Sequence, residues 1–200
     1  MNLSGGTRQP YRAGPASARV RGGSRVVRLG LETSGGDVAD QARDAYAVVV
    51  YRDEQGQWQA GLLPETLGDD LQGLVSAVRQ QPSPGGAFAL VDVADEFFVV
   101  VRVQSDRVRL LLSDVTAAVA WDLAAQVCDE LDVEVPGEDD LEEVWPTGDL
   151  GIFRDLGLDE MELGAILADL DAYADEMLAA LARRLGFGEA YERVVDAVVG

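Results

Sequence analysis

The stretch AFALVDVADEFFVVVRVQSDRVRLLL, Ala87–Leu112, decides the fold. It holds three β-rich runs, Ala87–Val93, Phe97–Val103 and Arg107–Leu112, separated only by Ala94-Asp95-Glu96 and Gln104-Ser105-Asp106. Connections this short make hairpins, and hence antiparallel strands. Phe97-Phe98-Val99-Val100-Val101 places apolar side chains on both faces of a period-2 strand, as in a central strand that helices or other layers cover on both sides. Arg107-Val108-Arg109-Leu110 alternates, as a half-exposed strand does.

On the N-terminal side, the β-branched run Ala45–Arg52 (AYAVVVYR) and Gln57–Leu63 (QWQAGLL) flank Asp53-Glu54-Gln55-Gly56. This reads as a further hairpin, with Gly56 supplying the turn. Between it and the central strands, Thr66 is expected to cap a helix over 67–81, with Asp69 and Asp70 in its first turn. Leu67, Leu71, Leu74, Val75 and Val78 recur at helical spacing, and Pro82-Ser83-Pro84-Gly85-Gly86 ends the helix. After Leu112, Ser113 is expected to cap a second helix over 113–131, with Val115, Val119, Leu123, Val127 and Leu131 on one stripe. The order ββαβββα predicts an α+β fold: a five-stranded, mainly antiparallel sheet over 45–112, with Phe97–Val103 inside it and two helices packed on it.

The remainder divides by composition. Residues 1–43 are rich in Gly, Arg, Ser and Pro without periodicity, and are expected to form a tail. From Asp129 to Glu143 there are nine acids and no base, so 132–148 reads as an acidic linker between an α+β domain over 44–131 and a helical subdomain over 149–200. In the last segment Asp149 is expected to open a turn reaching Leu156, Asp159 to cap Glu160–Leu170, and Asp171 to cap Ala172–Leu185, with Gly186 as its stop. Phe187, Tyr191, Val194, Val195 and Val198 mark a final amphipathic helix. Whether this subdomain docks on the sheet or stands apart is left open by its periodicity.

The residue inventory limits the chemistry. There is no histidine, no lysine and one cysteine, against 36 acids and 16 arginines. Imidazole bases, Ser-His or Cys-His couples, histidine metal ligands and Schiff-base lysines are therefore excluded. Cys128 alone builds neither a zinc site nor a disulfide within the chain, and no cation adjoins it in sequence to activate the thiol. Ser113-Asp114 lacks a base and reads as a cap; Trp58, Trp121 and Trp145 read as packing residues. The abundant reactive groups are carboxylates: Asp92, Asp95 and Glu96 at a hairpin, and the denser run Glu138, Asp139, Asp140, Glu142 and Glu143. Paired carboxylates serve glycoside hydrolysis and clustered ones bind hard cations, but no calcium-loop pattern is present. No metal or cofactor site is expected.

Charge is unevenly spread. Residues 1–43 carry seven arginines and three acids, a net of +4, which leaves 33 acids and nine arginines, a net of −24, to residues 44–200. Such a domain repels nucleic acid and anionic lipid and attracts basic surfaces; only the Arg-rich N-terminal segment suits RNA contact. No run reaches the roughly 18 apolar residues of a membrane span.

Three segments, in this order, carry a resemblance: AYAVVVYRDEQGQWQAGLL (Ala45–Leu63), DEFFVVVRVQSDRVRLLLSDVTAA (Asp95–Ala118) and GDLGIFRDLGLDEMELGAIL (Gly148–Leu167). Together they resemble the actinobacterial proteins called tRNA adenosine deaminase-associated, over about residues 45–199. The resemblance implies a cytoplasmic accessory protein partnering a tRNA-editing deaminase, and it brings no catalytic residues with it. A zinc nucleobase deaminase needs H-x-E and P-C-x-x-C elements, which a chain without histidine and with one cysteine cannot supply. Glu138, Asp139, Asp140, Glu142 and Glu143 are then candidate contacts for the partner's basic face, with Tyr173, Met177 or Phe187 as an apolar anchor. A general acidic interaction module or nucleic-acid mimic is the second reading, and a carboxylate-based hydrolase the third.

Overall fold

A computed structural model describes residues 45–83, 85–137, 144–169 and 171–199. The expected tail over 1–43 lies outside them, as do Glu138, Asp139, Asp140, Glu142 and Glu143. The strands are β1 (Ala45–Arg52), β2 (Trp58–Leu62), β3 (Ala87–Val93), β4 (Phe97–Gln104), β5 (Arg107–Leu112) and β6 (Thr147–Gly148). They form one antiparallel sheet in the order β2-β1-β3-β4-β5-β6. The fold is α+β, and β4 is an interior strand, as its two-faced apolar run requires.

Among the described residues the sheet has six strands rather than five. β6 lies inside the segment read as a linker, and pairs Leu111 with Gly148 and Leu112 with Thr147. A two-residue strand is too short to show a period. Gly148 makes the approach feasible: its φ is 107°, and a Cβ there would collide with the Leu110 carbonyl oxygen.

Five α-helices are found among the described residues: α1 (Leu71–Arg79), α2 (Asp122–Glu130), α3 (Glu160–Leu167), α4 (Ala174–Leu185) and α5 (Gly188–Val199). The helices over 67–81 and 113–131 are shorter than expected, because each is preceded by a 3-10 turn, at Glu65–Leu67 and Val115–Val119. Asp70, not Thr66, caps α1, its carboxylate accepting from the Gly73 amide at 2.9 Å. Asp114, not Ser113, caps the second turn through the Thr116 amide. Ser113 is instead buried, with its Oγ accepting from the Phe98 amide at 2.9 Å. α4 starts after Tyr173 rather than at Ala172; the Glu176 carboxylate accepts from the Tyr173 amide, and Asp171 is not its cap. Asp159 does cap α3, in a reciprocal box with Glu162, and Gly186 ends α4 at φ 86°.

Strand alternation sorts the side chains into two cores. Ala89, Val91, Phe97, Val99, Val101 and Leu112 face α1 and α2. Val48, Val50, Phe88, Leu90, Phe98 and Val100 face the opposite way, against Ile152, Phe153, Leu163, Leu178, Leu181 and Phe187. The helical segment therefore docks on the sheet and forms its third layer. Antiparallel sheets commonly leave one face wet; here helices cover both, which accounts for β3 being buried along its whole length.

Candidate functional site

Folding takes the hairpin acids to different depths: Asp92 is buried, and Asp95 and Glu96 are exposed. Ala94 and Asp95 have φ of 54° and 57°, so the β3–β4 turn holds two consecutive non-glycine residues in the left-handed region. Asp92 stabilises it by accepting from the Asp95 amide at 3.1 Å. Asp92 belongs to a strand buried on both faces and is only 1% exposed, and its second oxygen, Oδ2, has no hydrogen-bond partner among the described residues. Tyr46 stands opposite Asp92 in register, and its hydroxyl lies 3.4 Å from that of Tyr191 on α5. Asp175, in the first turn of α4, faces the same group, and the Ala174 amide donates to the Asp95 carbonyl at 3.3 Å.

Burial dominates the electrostatics. It pushes the Asp92 carboxyl up to about 7; the Asp95 amide opposes the shift, and the charges of Asp95 and Asp175 add to it. Asp95 is raised by burial and by Asp175. Burial also pushes Tyr46 up to about 12 against the hydrogen bond from Tyr191, and raises Tyr191 further. The result is a carboxyl that exchanges its proton near neutrality beside two neutral phenols. That is suitable for acid–base work in an open cleft, but here the carboxyl is closed to solvent. Glu96 goes elsewhere, accepting from Trp121 Nε1 at 3.3 Å.

A second polar cluster escapes the sequence reading. Arg102, in β4, is 2% exposed and makes two 2.7 Å bonds to Asp155 while also donating to the Ile152 carbonyl. Gln104 adds a 3.1 Å bond to Asp155, and Arg109 lies 3.7 Å from Asp149 and 3.8 Å from Asp155. Burial opposes ionisation of Asp155, but the bonds and charge of Arg102, with Gln104, overcome it and hold the carboxyl below its usual range. This clamp ties the sheet to residues 149–155. The available signal was a single arginine inside the apolar run FFVVVRVQ; its partner lies 53 residues away.

The remaining candidates have structural places. Cys128 is buried, and burial, then Asp129, raises its thiol. Trp58 packs on Phe88 and Phe187, and Trp121 on Phe97. Trp145 is not a core residue: its side chain is 37% exposed, and its backbone carbonyl accepts from the Val115 amide at 2.9 Å. Of the three expected anchors, Tyr173 is 67% exposed and Met177 half-buried, but Phe187 is 2% exposed inside that aromatic cluster and offers nothing to a partner. Met161, which the sequence reading did not select, is the most exposed large apolar side chain among the described residues, at 82%. Among the described residues no group of three or more acids or thiols is arranged to hold a metal, and no helix is long and apolar enough to cross a membrane.

The chain is 44% identical over 155 residues to Protein Rv3753c of Mycobacterium tuberculosis, an alignment that covers 76% of this chain and 88% of the relative. No solved structure matches it. The family model described as Rv3753c-like tRNA adenosine deaminase-associated protein matches residues 45–188, nearly the whole of the three-layer unit. The chain belongs to this Rv3753c-like tRNA adenosine deaminase-associated family.

Proposed function

We propose that the protein is a non-catalytic, cytoplasmic accessory that binds a tRNA adenosine deaminase on that enzyme's basic, tRNA-facing side. The observation that carries this reading is the residue inventory: a chain of a deaminase-associated family has neither a histidine nor the cysteines of a zinc deaminase. Its net charge of −24 over residues 44–200 supplies the attraction, because an enzyme that grips anionic tRNA presents arginine and lysine to it. The buried Asp92 and the Arg102–Asp155 clamp then serve the fold rather than a reaction.

The test uses the full chain and the purified deaminase of the same organism. Direct binding that tRNA displaces, with no deaminase activity in the isolated accessory, is the expected result. Failure of the two proteins to bind at low salt overturns the reading. A ternary complex in which tRNA and the accessory bind independently rules out a shared basic face and leaves a scaffold on another surface.

A further inference from the structure

A cleft of about 520 Å³ lies between α3 and α4. Ile166, Ala172, Met177 and Ala180 form its half-buried apolar floor, and Ala165 lies exposed beside them. Around it stand three exposed acids, Asp169, Asp171 and Glu176, against one cation, Arg183. Among the described residues no buried charged or polar side chain lines the cleft, which therefore lacks the convergent polar groups with which proteins orient small ligands. The alanines allow close approach, and the Met177 thioether adapts to the shape of an incoming side chain. Met161 precedes Ala165 by one helical turn and Tyr173 precedes Met177 by one, so the two most exposed large apolar side chains continue the same surface.

Resting on the association proposed above, we infer that the α3–α4 cleft is the docking site for an apolar side chain of the deaminase flanked by arginine or lysine. The apolar floor takes the anchor, and Asp169, Asp171 and Glu176 take the flanking cations. The net acidity of the rim selects this partner over an acidic or nucleic-acid one. Anchors of this kind dominate binding where a pocket desolvates them.

The experiment measures deaminase affinity for the full chain and for three folded variants: Ala165→Arg, which fills the cleft, Asp169→Lys with Asp171→Lys, and a control, Asp106→Lys with Glu134→Lys, which makes the same charge change at exposed sites not among the cleft's lining residues. The two cleft variants are expected to weaken binding about tenfold or more and the control less than about threefold. Equal losses in all three, or none in the cleft variants, overturn the site while leaving the association standing. If the wild-type chain does not bind the deaminase, the association fails, and the cleft is judged with a synthetic amphipathic peptide of ~12 leucine, arginine and lysine residues. Amide shifts confined to residues 165–177 and abolished by Ala165→Arg support it; diffuse shifts overturn it. Movement of the Ala165 and Met177 signals on deleting residues 1–43, or a dimer dissolved by Ala165→Arg, gives the cleft to the chain itself and overturns the partner assignment.

Discussion

Asp92 braces the β3–β4 turn, but its ionisation works against the fold at neutral pH. Its carboxyl titrates near 7 when buried, against an ordinary value of 3.8, so the folded protein holds a proton that the unfolded chain has already released. Its contribution is fully present below the unfolded value and is lost as pH rises through about 7. At ~1.4 kcal/mol per unit, the loss amounts to a few kcal/mol. Asp92→Asn keeps an acceptor for the Asp95 amide and removes the charge. The variant is therefore expected to be more stable than wild type above pH 7, with the difference shrinking toward pH 4; parallel denaturant midpoints from pH 4 to 9 would refute this. Asp155 has the opposite sign: the stability from its lowered value is present above the unfolded value and is lost as pH falls through the folded one. Arg102→Ala empties the volume of a buried side chain and leaves the Ile152 carbonyl without its donor, while the half-exposed Asp155 carboxylate turns to water; it is expected to cost about 2–4 kcal/mol, and Arg102→Met less, because it refills the volume. The clamp was not legible in the sequence, because a side-chain pair 53 residues apart leaves no periodic trace. The hairpin acids were visible as a group, but their depths were not: Asp92 is interior and Glu96 exposed because they lie on either side of a left-handed turn.

At the scale of elements, hydrophobic period located β1 to β5 and the two helices of the first covering layer, α1 and α2, while the starting residues of the helices followed local geometry that composition does not encode. Thr66 and Asp70 are both good caps, and the 3-10 turn at Glu65–Leu67 delays the helix so that Asp70 takes the role. β6 was invisible for a related reason: the identity of its residues matters less than the missing Cβ at Gly148. Gly148→Ala is expected to destabilise the protein by about 1–3 kcal/mol and to loosen Thr147 and Gly148 from β5, since it combines a left-handed φ with a collision against Leu110. Gly164 is the counter-case. It lies inside α3 with open space where a Cβ would stand, so Gly164→Ala should stabilise by about 0.5–1 kcal/mol. Thermal melts of the two variants moving in the same direction would contradict this account of where glycine is needed.

For the whole molecule, the strongest sequence signal was the doubly apolar β4, which marked a central strand while leaving open whether the helical segment docks on it. The cover on its second face is α3 to α5, so residues 45–131 alone would expose Val48, Val50, Phe88, Leu90, Phe98 and Val100 to water. Each buried side chain of this size is worth ~1.5–3 kcal/mol, and a fragment ending at 131 is expected to aggregate rather than melt as an independent domain. The opposite property, a highly acidic surface, governs encounter with a partner. Charges at a solvated surface are screened beyond about 8–10 Å at 0.1–0.15 M salt, and complementary fields act chiefly on the rate of association. For the accessory and its deaminase, raising salt should therefore slow association by an order of magnitude or so while changing dissociation far less. Replacing Glu138, Asp139, Asp140, Glu142 and Glu143 with Gln or Asn removes five charges from a run whose one apolar residue is Leu141, and should reproduce part of that slowing without shifting the melting temperature. Filling the α3–α4 cleft with Ala165→Arg should do the reverse, shortening the lifetime of the complex and leaving encounter nearly unaltered. Stopped-flow association and dissociation traces on the two variants separate the roles. If the acidic run changed only dissociation, or the cleft only association, the division of labour between field and anchor would be wrong.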